Sequence, residues 1–137
     1  MTRLAIFTAS IVAMLVLASS AAPAPAASPG KVRVDYALTG ALFIEGSYTY
    51  MRIETRSGKL VLKRQFTGGE RRFDVKLKPG RYVLVSYERP CDGNCNYLDP
   101  PTARCETRFR VQPADDLRLR IRFNLVEGTC TRTSTRR

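Results

Sequence analysis

"RRFDVKLKPGRYVLVSYER", Arg71 to Arg89, is the stretch whose reading decides the fold. Its first half alternates strictly, with Phe73, Val75 and Leu77 on one side and Arg72, Asp74, Lys76 and Lys78 on the other. That period of two is the mark of a half-buried strand. Pro79 and Gly80 then interrupt the run; proline fixes one turn dihedral and glycine accepts a positive one, so a tight turn is expected here. In the second half both parities are apolar, Tyr82 and Leu84 on one, Val83, Val85 and Tyr87 on the other. A strand apolar on both faces is usually central in its sheet, or covered from outside by a neighbouring loop.

The same alternation extends in both directions. "VRVDYAL" sets Val32, Val34, Tyr36 and Leu38 against Arg33 and Asp35, "ETRFRV" turns Phe109 and Val111 inward, and "LRLRIRFNL" does so with Leu117, Leu119, Ile121, Phe123 and Leu125. "SYTYMRIET" and "KLVLKRQF" read as a hairpin closed by Arg56-Ser57-Gly58. No segment carries a helical period. Short strands broken at intervals by Gly, Pro and Asp predict an all-β chain, a single antiparallel β-sandwich of about seven strands. No internal repeat and no second domain is legible.

The longer run "GGERRFDVKLKPGRYVLVSYE", Gly68 to Glu88, resembles the signature of transthyretin-like sandwiches, the group that includes carboxypeptidase regulatory-like domains and collagen-adhesin B-type repeats. The matching residues are Phe73, Val75, Leu77, Pro79, Gly80, Tyr82 and Leu84. The resemblance implies a two-sheet sandwich and a non-catalytic role in adhesion, display or carbohydrate association. Some adhesin repeats cross-link a first-strand Lys to a last-strand Asn within the core. Lys31 and Asn124 are roughly placed for this, but Asn124 shares the parity of Arg118, Arg120 and Arg122 and is expected to point outward, so the cross-link is not carried over.

Met1-Thr2-Arg3, the apolar run Leu4 to Ala18 and the small residues Ser19 to Ala27 have the three-part layout of a secretory signal peptide. The apolar run falls short of the roughly 20 residues that a membrane-spanning helix needs. Removal is therefore expected, after Ala26 or Ala21, leaving a secreted protein with no membrane span. The domain reading is a signal peptide over 1–26, a flexible leader over 27–30, the β-sandwich over 31–130 and a disordered basic tail over 131–137.

With 23 Lys and Arg against 12 Asp and Glu the formal net charge is +11. A basic surface holds anions by charge alone or serves solubility. An exported protein meets little duplex DNA, so nucleic acid is not expected as a partner; an anionic wall polymer, a polysaccharide or a secreted or cell-surface protein is. Folding "RFRVQPADDLRLR" as a hairpin around Gln112 to Asp116 would pair Arg110 with Arg118 and Arg108 with Arg120, with Arg122 close by. Like charges opposite one another across strands destabilise. Arg108, Arg110, Arg118, Arg120 and Arg122 are therefore the candidate anion-binding residues, solvation of an ordinary outer face being the plainer account.

Cys91, Cys95, Cys105 and Cys130 are the four cysteines. Counting strands brings all four to one end of the sandwich, and an exported domain sits where disulfides persist. Two disulfides stapling that end are expected, one closing the 91 to 105 loop or part of it and the other tying Cys130 to that loop; three connectivities remain open. Zinc is disfavoured because the paired C-x2-C rhythm and histidine are both missing, and no C-x-x-C suggests a redox dithiol. Asp92, Asn94 and Asn96, with Asp99 behind, alternate like the start of a calcium loop, but Tyr97 stands where glycine is needed and Ala103 where glutamate is. No metal and no cofactor is expected.

Without histidine, a Gly-x-Ser-x-Gly elbow or a phosphate-cradling glycine loop, the sequence lacks the parts of an enzyme. A second functional reading is a secreted inhibitor of an extracellular hydrolase. It would present Asn96, Tyr97, Leu98 and Asp99 on a loop held rigid by disulfides and prolines.

Overall fold

A computed structural model describes residues 26–40, 46–67, 71–91 and 95–137. The signal peptide reading therefore lies outside the described residues. Among the described residues eight strands follow in chain order: β1 (Gly30–Thr39), β2 (Ser47–Thr55), β3 (Leu60–Thr67), β4 (Arg71–Leu77), β5 (Gly80–Pro90), β6 (Thr102–Val111), β7 (Asp116–Asn124) and β8 (Thr129–Arg136). They form two four-stranded sheets, one ordered β4-β1-β7-β8 and the other β3-β2-β5-β6. The sandwich is thus observed, with one strand more than the sequence suggested and with a parallel pair, β1 and β7, at the centre of the first sheet.

Strand parity follows the sequence closely. Val32, Val34, Tyr36, Leu117, Leu119, Ile121 and Phe123 from the first sheet pack against Met51, Ile53, Tyr82, Leu84 and Val111 from the second. Each such side chain removed from water contributes roughly 1.5–3 kcal/mol. β5, apolar on both faces, is central as its composition requires, lying between β2 and β6. The β2–β3 hairpin closes where predicted, and Gly58 there takes φ +84°.

Two connections differ from the sequence reading. Pro79-Gly80 does not close a hairpin: β4 belongs to one sheet and β5 to the other, so the turn is a corner between sheets. Gly80 is not among the glycines with positive φ. The corner is latched instead by Tyr82, whose hydroxyl donates to the Lys78 carbonyl oxygen at 2.7 Å, with its ring packed over Gly80, where an added Cβ would lie 3.4 Å from it. Likewise Gln112 to Asp115 carries the chain from β6 in the second sheet to β7 in the first. Lys31 N–H donates to the Asp115 carbonyl at 2.6 Å, which pulls this crossing onto the start of β1.

The expected disordered tail is also corrected, since residues 129–136 form β8, paired antiparallel with β7. β8 is exposed along its whole length, and no hydrophobic alternation announces it. It is held by polar ties on its inward parity. Cys130 is bonded to Cys105. Arg132 donates to the Glu106 carbonyl at 3.4 Å and Arg136 to the Arg110 carbonyl at 3.0 Å, both on β6 across the open side of the sandwich. These guanidinium groups occupy carbonyls that would otherwise face solvent along an edge strand.

All four cysteines are paired, Cys91 with Cys95 and Cys105 with Cys130, at one end of the molecule. In the chain-entropy model the second bond, spanning 25 residues, restricts the unfolded chain by about 3–4 kcal/mol, against about 2 kcal/mol for the short one. Deleting residues 131–137 should therefore cost stability although it removes no apolar core: a drop of about 1–3 kcal/mol in urea unfolding is expected from the lost guanidinium–carbonyl bonds. An unchanged midpoint would return the segment to the status of a tail.

Candidate functional site

Because β6 and β7 lie in different sheets, the five candidate arginines do not share a face. Arg110 does not pair with Arg118, nor Arg108 with Arg120; Arg110 stands opposite Arg81 and Arg108 opposite Val83 on β5. In the other sheet Arg118, Arg120 and Arg122 stand beside Arg33, Asp35 and Ala37 of β1. The sequence reading failed here because it placed β7 next to its chain neighbour, whereas β7 pairs with β1.

On the second sheet, Arg108 and Arg110 join two arginines that sequence reasoning missed. Arg56 comes from the β2–β3 turn, where its N–H bonds the Arg81 carbonyl at 3.2 Å, and Arg81 opens β5. Arg56, Arg81, Arg108 and Arg110, with Val83 between them, line a depression of about 560 Å³ at the end of the sandwich opposite the disulfides. The acids on this face are already engaged: Glu54 with Arg52 at 3.2 Å and Glu106 with Arg104 at 2.6 Å. Among the described residues no carboxylate pairs with any of the four. Arg81 and Arg110 are directly opposite, so the repulsion inferred for one arginine pair belongs to another, and costs up to about 1 kcal/mol.

Further along this face Tyr50 and Tyr87 stack with centroids 5.2 Å apart. Arg52 lies 5.9 Å from the Tyr87 ring centre and Lys63 5.5 Å from that of Tyr50. These rings adjoin cations of the face, but Tyr50 is buried and Lys63 covers it.

The outer face of the first sheet carries a second basic cluster with a different balance. Asp35 accepts from Arg118 at 2.6 Å and also from Arg72. Burial pushes the Asp35 carboxyl up, but the two arginine hydrogen bonds outweigh it and hold its pKa below the ordinary carboxylate value. Asp74 is occupied by Arg33 at 2.8 Å. Arg120 and Arg122 have no ion pair among the described residues; with Asp35, Ala37, Arg72 and Arg118 they line a depression of about 420 Å³.

The partner-loop residues sit at the disulfide end. Arg89 donates to the Leu98 carbonyl at 2.7 Å and the Asp99 carbonyl at 2.8 Å, while Asp99 N–H bonds the Pro90 carbonyl at 2.9 Å. This clamp half-buries Leu98 and Asp99, leaves Asn96 at the surface and projects Tyr97, which is 87% exposed. Asp92 and Asn94 of the calcium reading lie outside the described residues. With all four cysteines in disulfides, none serves as a thiolate ligand, and among the described residues no cluster of metal-ligating side chains forms.

Inside the sandwich, Thr49 donates to the Glu88 carboxylate at 2.7 Å, and Arg71 donates to the same hydroxyl. Glu88 is only 2% exposed. Burial, and then the nearby Glu88 carboxylate, push the Tyr36 phenol upward, so it stays neutral throughout the physiological range.

No family model and no curated protein matches the chain. Among solved structures, the chain is similar to "a putative cell adhesion protein from Bacteroides ovatus", at 10% identity and a TM-score of 0.37, over 79% of this chain and 44% of that one. It is also similar to listeriolysin O, at 9% identity and a TM-score of 0.33, over 81% of this chain and 23% of that one. The chain thus spans less than half the length of either. Among the described residues no helix is long and apolar enough to cross a membrane.

The Asp35 bridge sets a pH dependence. A carboxylate whose pKa is lowered by folding stabilises the native state fully above its unfolded pKa, near 3.9, and loses that contribution as pH falls through the folded value. Asp35→Asn should lower stability at pH 6 by on the order of 1 kcal/mol. The difference from the unsubstituted protein should shrink at pH 2.5, as read from paired urea titrations.

Proposed function

We propose that the chain is a secreted, non-catalytic β-sandwich module of the transthyretin-like kind that associates with an anionic polymer of the cell surface, such as a phosphate-bearing wall polymer or an acidic polysaccharide. The observation that carries this reading is the arginine quartet Arg56, Arg81, Arg108 and Arg110, gathered round an apolar floor with every nearby acid already paired. Four cations held together, where the Glu106 carboxylate that acts on Arg108 is already bonded to Arg104, carry a standing electrostatic cost, which a bound oxyanion relieves. Guanidinium forks suit phosphate, sulfate and carboxylate alike. Export is supported by the two disulfides, which persist in oxidising compartments. A non-catalytic role is supported by the lack of histidine and of any free cysteine among the described residues.

Retention on immobilised dextran sulfate tests the reading. Arg81→Glu combined with Arg108→Glu should weaken retention about ten-fold at low salt and reduce the dependence on log salt by about two charges. Retention equal to that of the unsubstituted protein would remove the quartet from any such role.

Tyr97, fully presented on the clamped loop, favours a second reading as an inhibitor of an extracellular hydrolase. A rigid aromatic anchor loses little entropy on docking. Inhibition across a panel of secreted proteases and glycosidases, abolished by Tyr97→Ala, would support it; none at micromolar concentration would eliminate it.

A further inference from the structure

The two basic clusters lie on opposite outer faces of the sandwich and at opposite ends of its strands. The quartet is near the Gly80–Val111 pairing of the second sheet. The other cluster, Arg120 and Arg122, is near the Asn124–Thr129 pairing of the first. β1 runs on past the Tyr36–Arg71 pairing to Thr39. Ala37 and Asp35 lie in the depression already described, with Arg122 beside Ala37 and Arg120 beside Asp35. Across β7 from these arginines stand Thr131 and Thr133 of β8, and the Thr131 hydroxyl donates to the Arg122 carbonyl at 3.5 Å.

Asp35 is already bridged by Arg118 and Arg72, which leaves the outer pair, Arg120 and Arg122, to an incoming oxyanion. The two sheets of a sandwich are roughly 10 Å apart, and the side chains on each outer face add to that separation. At physiological ionic strength the screening length is about 8 Å. An anionic strand on one face therefore leaves the field at the other nearly intact, and a flat sandwich gives one strand no short path round both.

We infer that the module is bivalent: it holds one anionic polymer strand at Arg56, Arg81, Arg108 and Arg110 and a second at Arg120 and Arg122, and so cross-links them. This rests on the polymer-binding reading and adds to it the second site and the bridging.

A two-step capture separates the two ideas. The purified protein is loaded on immobilised dextran sulfate, the surface is washed, and fluorescently labelled dextran sulfate is passed over it. The unsubstituted protein should capture labelled polymer. Arg120→Glu with Arg122→Glu should still load through the quartet but capture about five-fold less. Arg81→Glu with Arg108→Glu, loaded to the same density through the other face, should also capture about five-fold less. Lys59→Glu with Arg64→Glu, which makes the same change in charge on the β3 side, should capture normally. Loading without capture by the unsubstituted protein would overturn bivalence while leaving polymer binding intact; failure to load would remove both. Capture undiminished in either face variant, or equally lost in the charge-matched control, would also overturn the inference.

Discussion

The parallel ladder between β1 and β7 is the constraint on which the rest of the molecule depends. Val32 stands beside Leu117, Val34 beside Leu119, Tyr36 beside Ile121 and Leu38 beside Phe123, so the two strands present one continuous apolar surface. A slip of one residue would turn that whole set outward and bring Arg118, Arg120 and Arg122 into the core. Parallel strands cannot be joined by a tight turn. β7 is reached from β6 in the other sheet, by the crossing at Gln112 to Asp115, anchored by the Asp115 side chain on Gln112 N–H at 2.8 Å. The split of the arginines between two faces follows directly.

With β7 placed there, its free side would be an open edge, and β8 closes it. That strand has almost no apolar material and is made part of the fold by Cys105–Cys130 and by Arg132 and Arg136 reaching the carbonyls of β6. The staple end and the quartet end thus have separate tasks. Disulfides and the Arg89 clamp order the loop carrying Tyr97, while the quartet gathers at the far end.

Parity was legible in the sequence; pairing was not. The inward sets of β1, β4, β6 and β7 follow from alternation alone, because a half-buried strand leaves no other pattern; β5, apolar on both parities, announced only its central place. Pro79-Gly80 serves a hairpin or a corner equally well, and what makes it a corner is the Tyr82 hydroxyl on the Lys78 carbonyl, a contact of the folded backbone. β8 could not be found from hydrophobicity, since polar ties hold it. Of the site, Arg108 and Arg110 were recognisable, but Arg56 in a turn and Arg81 beside Pro-Gly gave no sign of sharing their surface until β5 was seen to pair with β6. The convergence of the four cysteines survived the topological error because β5 and β7 run toward the same end and β6 starts from it, whichever sheet holds them.

Charge on this protein is consequently sorted by place. Asp35, Asp74, Glu54 and Glu106 each have an arginine, and on each outer face a group of arginines without an ion pair among the described residues lines a depression. The most direct measurement is an NMR titration of the arginine Nε–Hε signals with short dextran sulfate. The account predicts that Arg56, Arg81, Arg108 and Arg110 shift first and saturably, while Arg118, held on Asp35, moves little. Uniform shifts across all arginines, or none in the quartet, would contradict it.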